Sequence, residues 1–204
     1  MLKTISFAFL ATAAIAAPAY AQEQSNFAGA KIGAVVGYDN VTLEYEDLDA
    51  DKDGFLYGVT AGYDMDLGGA IIGAELEASD SSTKQRYTDF LASGDSATLA
   101  AGRDLYIGAR IGLPLSPSLL AYVKGGYTNA RAKLTYNDGT GFSVSDSDTL
   151  DGWRVGGGVE LSNASSFARV EYRYSDYGEY KSDGINTGLS VSRQQVALTG
   201  GFRF

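Results

Sequence analysis

Residues 152–161 read GWRVGGGVEL, and the alternation within them decides the fold. Trp153, Val155, Gly157, Val159 and Leu161 fall on one face of an extended chain. Gly152, Arg154, Gly156, Gly158 and Glu160 fall on the other. Period-two alternation marks a strand whose two faces meet different surroundings. The polar face here combines Arg and Glu with glycine. That mixture suits a narrow interior holding long charged side chains better than it suits open water.

The same pattern recurs along the chain. Further runs are Ala28–Tyr38, Phe55–Met65, Ala70–Ala78, Asp104–Leu113, Leu119–Thr128, Ala168–Ser175 and Gln195–Phe204. Each is about ten residues, the length a tilted strand needs to cross hydrocarbon. Short connections, Asp66–Gly69, Pro114–Ser118 and Ser162–Ser166, alternate with long ones. The long ones are Asp39–Asp53, Ser79–Gly102, Arg131–Asp151 and Asp176–Ser190. Eight strands with three short and four long connections put both termini on the short-turn side. The pattern predicts an all-β fold, an eight-stranded antiparallel transmembrane barrel with short periplasmic turns and four longer extracellular loops. A closed barrel satisfies every backbone group without water, which an open sheet in lipid does not. Tyr38, Tyr57, Tyr63, Tyr127, Trp153, Tyr172 and Tyr174 lie mostly toward run ends on the apolar phase, where interface girdles belong. Val41, Leu43 and Tyr45 still alternate and read as strand rising above the membrane.

Met1–Ala21 has the layout of a cleaved export signal: Lys3, an apolar stretch from Ile5 to Ala17, then Pro18 and the small-x-small triplet ending at Ala21. The mature barrel domain is expected to run from Gln22 to Phe204. The 204 residues contain no Cys and no His, with 26 Gly and 14 Tyr. Disulfides, thiolate zinc sites and histidine-based catalysis are thereby excluded. Net charge is −9. The four long connections hold 17 acids and 6 bases, so the acidity belongs to the expected outer surface. That argues against nucleic acid as a partner. It favours hydration, with divalent cations able to link the surface to lipopolysaccharide phosphates.

Strand phase places Lys31, Glu75, Glu77, Asp104, Arg110, Lys124, Arg154, Glu160, Arg169, Glu171, Arg173 and Arg203 on the inner face. The interior of an eight-stranded barrel is just wide enough for side chains to fill. These twelve are expected to pair in a lumen network, because an unpaired buried charge costs several kcal/mol. Glu75 and Glu77 could in principle serve acid–base chemistry, but they read as ion-pair partners, and the chain is expected not to be an enzyme. Asp49-Ala50-Asp51-Lys52-Asp53-Gly54 matches the opening of a calcium loop. Asp49, Asp51 and Asp53 are therefore candidate Ca2+ ligands. Thr60 stands where a bidentate Glu would complete that loop, and no other cofactor is expected.

Residues 152–160, 169–178 and 195–204 carry a family resemblance. They resemble the small porin-like outer-membrane barrels of the OmpA-like and opacity-protein group, in particular the alphaproteobacterial surface antigens. The resemblance implies the cell outer membrane of a Gram-negative bacterium, with outer-membrane lipid and lipopolysaccharide as surroundings. Phe202 and Phe204 resemble the terminal signal read by barrel-assembly machinery. The group includes structural proteins, adhesins and narrow pores, so a host or surface ligand bound through the loops is compatible with it. A periplasmic domain after the last strand is not expected, so the resemblance does not imply peptidoglycan anchoring. The expected function is a structural or surface-interaction barrel; the alternatives are a narrow passive channel and a soluble carbohydrate-binding sandwich.

Overall fold

The computed structural model describes residues 25–45, 48–88, 94–140, 143–182 and 185–204. The expected leader, Met1–Ala21, and Gln22 lie outside them. The described chain is β throughout: β1 (Gly29–Tyr45), β2 (Leu48–Asp66), β3 (Ile71–Ser81), β4 (Lys84–Thr88), β5 (Ser96–Ser116), β6 (Leu119–Asn137), β7 (Ser143–Ser162), β8 (Ser166–Ser182) and β9 (Ile185–Arg203). Neighbours pair antiparallel in the order β3-β2-β1-β9-β8-β7-β6-β5-β4, and β3 also pairs with β5, which closes the ring. The wall therefore has eight staves, with β3 and β4 sharing one. The closing seam joins the first and last strands, from Lys31↔Arg203 to Tyr45↔Leu189. Phe204 extends it: its N–H donates to the Ala30 carbonyl at 2.8 Å, and its carbonyl accepts from Ala30 at 3.1 Å.

The short turns are held by residues suited to them. After β2, Asp66 accepts the Gly68 N–H at 2.7 Å, and Gly68 takes a φ of +82° that disfavours a side chain. Between β7 and β8, the Asn163 side-chain oxygen accepts the N–H groups of Ser165 and Ser166 at 2.9 and 2.8 Å. Ser116 Oγ plays the same part for Leu119 before β6, at 3.1 Å.

The faces are inverted relative to a water-soluble protein. Val59 and Ile107 are more than half exposed, at 59% and 56%, whereas Arg154 and Glu160 are at 0%. The outward apolar residues form a belt. On β5 it runs Leu113, Ile111, Ala109, Ile107, Leu105; on β7, Leu161, Val159, Gly157, Val155, Trp153. About ten tilted residues per stave give a belt about 25 Å tall.

The long connections differ from the loops expected of them. They are mainly strand, because β1 and β2 pair up to Tyr45↔Leu48, and β6 and β7 up to Asn137↔Ser143. A ladder needs only backbone partners, so it continues where both faces meet water and alternation is no longer enforced. Two pairings stop early: β2–β3 at Leu56↔Ser81 and β7–β8 at Trp153↔Asp176. Above those points the wall divides into two four-stranded sheets, β2-β1-β9-β8 and β4-β5-β6-β7. The β3/β4 break lies at Ser82 and Thr83. There the Asp39 carboxylate accepts hydrogen bonds from Ser81 Oγ at 2.5 Å and Thr83 Oγ1 at 3.2 Å, drawing both inward.

Candidate functional site

The inner face carries eight bases and seven acids among the described residues, each less than 5% exposed. Twelve are the residues placed there by strand phase. The structure adds Asp39, Asp64 and Arg193. Asp64 shares the inward phase of β2 with Thr60 and Gly62. Arg193 lies two residues before Gln195, on the same parity, and Asp39 two after Gly37. Extending each run by one inward step reaches the last two; reading Asp39 as the start of an acidic loop hides it.

Near the periplasmic end, Arg110 makes a two-pronged contact with Asp64, Nε to Oδ1 at 2.9 Å and Nη2 to Oδ2 at 2.6 Å. Its Nη1 reaches Glu160 at 2.7 Å. Arg203 joins the same two carboxylates, Asp64 at 3.1 Å and Glu160 at 2.7 Å, and Lys31 meets Asp64 at 3.0 Å. One layer up, Glu75 takes Lys124 at 2.8 Å and Arg169 at 2.5 Å, with Lys31 at 3.7 Å. Lys124 also meets Glu171 at 2.7 Å, and Tyr122 donates to that carboxylate at 2.7 Å. Above this, Arg173 lies 2.8 Å from Glu77 and 3.6 Å from Glu171, and Arg154 lies 3.7 Å from Glu77 and pairs with Asp104. Arg193 meets Asp104 at 2.9 Å and grips Asp39 through Nε and Nη2, both at 2.6 Å. All fifteen side chains thus form one connected network along the lumen.

Aromatic rings and glycines complete the packing. Tyr106 lies under Lys124 (4.8 Å) and Arg154 (5.4 Å), and Tyr122 under Arg110 (5.0 Å). Such cation–π contacts replace part of the lost hydration. A Cβ on Gly73 would overlap Asp64 Oδ1, and one on Gly108 would overlap the Tyr106 hydroxyl. Glycine on the inner face is therefore what makes room for long charged neighbours.

Both ends of the network meet apolar side chains. At the periplasmic end Phe27, Ile71 and Leu120 form a buried cluster. The segment carrying Phe27 is fastened across the mouth. The Asn26 side chain donates to the Pro117 carbonyl at 2.8 Å, Ser162 Oγ to the Asn26 carbonyl at 2.7 Å, and Arg203 to the Phe27 carbonyl. At the other end Ala130, Tyr177 and Val191 cluster with Val41 and Leu150. Tyr177 turns its hydroxyl down onto Asp104 at 3.2 Å. Higher still, Tyr136 donates to Asp95 at 2.8 Å, and this hydrogen bond raises the Tyr136 pKa above its ordinary value.

On the outer face, the girdle rings reach upward. Tyr127 donates to Asp151, and Tyr172 to Gln194 at 2.9 Å. Trp153 and Tyr174 pack with ring centroids 5.7 Å apart. Phe202 and Phe204 lie at the opposite rim, 65% and 77% exposed.

Glu75 and Glu77 share the inner face, each engaged by bases, and no nucleophile–base pair accompanies them among the described residues. For the candidate calcium loop, the backbone of 49–53 is ladder paired with β1. The side chains of Asp49 and Asp51 lie outside the described residues. The Asp53 carboxylate accepts from Asn40 at 2.9 Å.

A family model for the outer membrane protein beta-barrel domain matches residues 7–192. The 25 kDa outer-membrane immunogenic protein of Brucella abortus is 26% identical over 196 residues, 93% of this chain and 85% of that protein. The 31 kDa outer-membrane immunogenic protein of Brucella melitensis is 29% identical over 150 residues, 65% of this chain; the chain spans 58% of that relative's length. Among solved structures, Ail of Yersinia pestis, in complex with the heparin analogue sucrose octasulfate, matches with a TM-score of 0.50 at 13% identity. The match covers 86% of this chain and 99% of Ail. Neisserial surface protein A matches at 0.50 and 16% identity, covering 86% and 99%. These structural likenesses bear on the fold alone.

Proposed function

Because this chain belongs to the outer-membrane β-barrel domain family, resides in the outer membrane of a Gram-negative cell and is antigen-like in its relatives, we propose that it is a non-enzymatic structural and surface-display barrel. The lumen is a packed interior rather than a conduit, and the acidic hairpins above the rim are its working surface. The observation that carries this reading is the fifteen-member ion-pair network lying between two apolar clusters. Water and ions crossing such a tube would have to part several buried ion pairs and two hydrophobic plugs.

Planar-bilayer recording tests it. The purified barrel should give little or intermittent conductance, and Phe27→Ala should raise the frequency of openings. Steady, large conductance from the unaltered protein would overturn the reading. A narrow passive channel is the second reading, and one observation favours it. The Tyr106 hydroxyl, Arg169 Nε, Arg173 Nη2 and Arg203 Nε are buried without a protein partner among the described residues. Groups of that kind are normally satisfied by internal water.

A further inference from the structure

Going up each stave, the first outward polar residue above the apolar belt is Asn40, Asp53, Asp80, Arg103, Asn129, Asp151, Asp176 or Gln194. Four of the eight are acids and one, Arg103, is a base. Arg103 continues the outward parity of Leu105 and Ile107 and lies at an irregularity: the β5–β6 register shifts between Ala101 and Asp104, so Gly102 and Arg103 bulge opposite Arg131. Gly102 backs closely onto Arg131, where a Cβ would lie 3.1 Å from its carbonyl oxygen. Arg103 Nη2 donates to Asn129 Oδ1 at 3.4 Å, which holds the guanidinium just above the Tyr127 girdle ring. Arg131 and Lys133 follow on the same outward face of β6, both exposed. The backbone of Lys84 stands in the Lys133 row, through Lys84↔Ala100↔Lys133.

The ion pairs among the described residues all lie in the lumen, and none uses Arg103, Arg131 or Lys133. The nearest outward acids in the ring are Asp80, one step past the Ser79↔Asp104 pair and level with Arg103 on the adjacent stave, which accepts the Ser81 N–H at 2.7 Å, and Asp151, which accepts from Tyr127 and from Asn129 at 2.5 Å. One sector of an otherwise acidic collar therefore presents positive charge that no ion pair among the described residues engages, facing sideways, directly above the aromatic girdle. That is the height of the outer-leaflet head groups.

We propose that Arg103, Arg131 and Lys133 form a binding site for the phosphate groups of the outer-leaflet glycolipid, the lipid A of lipopolysaccharide. Guanidinium groups suit phosphate because they donate two parallel hydrogen bonds. Basic residues at a membrane surface strengthen anionic-lipid binding severalfold each. The site rests on outer-membrane residence alone and is independent of whether the lumen conducts.

The test measures binding of bisphosphorylated and dephosphorylated lipid A to the folded barrel in phosphatidylcholine nanodiscs. The unaltered protein should prefer the phosphorylated form by about tenfold or more. The variant Arg103→Ser/Arg131→Ser/Lys133→Ser, checked for folding by unheated gel mobility, should lose that preference. Equal binding of the two lipids by the unaltered protein overturns the proposal without need of any variant. So does a folded triple variant that keeps the preference. Capture of a soluble sulfated oligosaccharide, with lipid A left unbound, likewise overturns it.

Discussion

Glu160 holds two arginines at once, Arg110 and Arg203, each at 2.7 Å. Replacing it by Ala leaves both buried guanidiniums with Asp64 as their one remaining carboxylate among the described residues. Breaking a buried pair in this one-sided way costs about 3–5 kcal/mol. Glu160→Ala should therefore lower the urea stability of the folded barrel by that order, with Glu160→Gln falling between it and the unaltered chain. A change within error of zero would show that the pair is dispensable. The inner position of Glu160 was legible from parity alone, as it was for Arg154 and Arg173. Asp39 has the same inward parity, but its sequence neighbours hide it. It opens a stretch with seven acids, and composition there argues for a solvated surface. What places it inside is Arg193, which is 154 residues away in sequence and which no local pattern connects to it.

The closing seam between β1 and β9 depends on the last residue more than its side chain suggests. Phe204 contributes two backbone hydrogen bonds to Ala30 and an exposed ring at the periplasmic rim. Deleting it removes the end of the seam as well as the terminal aromatic that resembles an assembly signal. The heat-modifiable, membrane-inserted fraction should fall on deletion, whereas Phe204→Tyr should largely preserve it; an undiminished yield on deletion would refute the role. The eight runs and their short turns were readable because lipid on one side and packed charge on the other enforce alternation. Where the staves rise into water, that enforcement ends. Their continuation as ladder left only a faint trace at Val41, Leu43 and Tyr45. The split of one stave into β3 and β4 left none; the carboxylate that engages Ser81 and Thr83 there lies far off in sequence, on β1.

Across the whole molecule, the ion pairs among the described residues are shielded from both aqueous faces. Salt weakens exposed pairs strongly and buried ones little. The thermal midpoint of the detergent-solubilised barrel should therefore hardly change between low and molar sodium chloride. A steep fall would mean that solvent reaches the lumen pairs. The two upper sheets have a different vulnerability. Above the points where β2–β3 and β7–β8 pairing stops, β2, β4, β7 and β8 each follow a single neighbouring strand among the described residues. Such borders are templates on which a second chain can add itself, and proteins commonly guard them with charge. Here Asp49, Asp51 and Asp53 punctuate the β2 border, Asp146, Asp148 and Asp151 the β7 border, and Lys84 and Arg86 the β4 border. The acidic β2 and β7 borders repel those of neighbouring copies on a crowded cell surface, while the β4 border carries the opposite sign. The collar's acidity therefore acts as a colloidal safeguard, one that weakens whenever the surroundings turn acidic enough to protonate it.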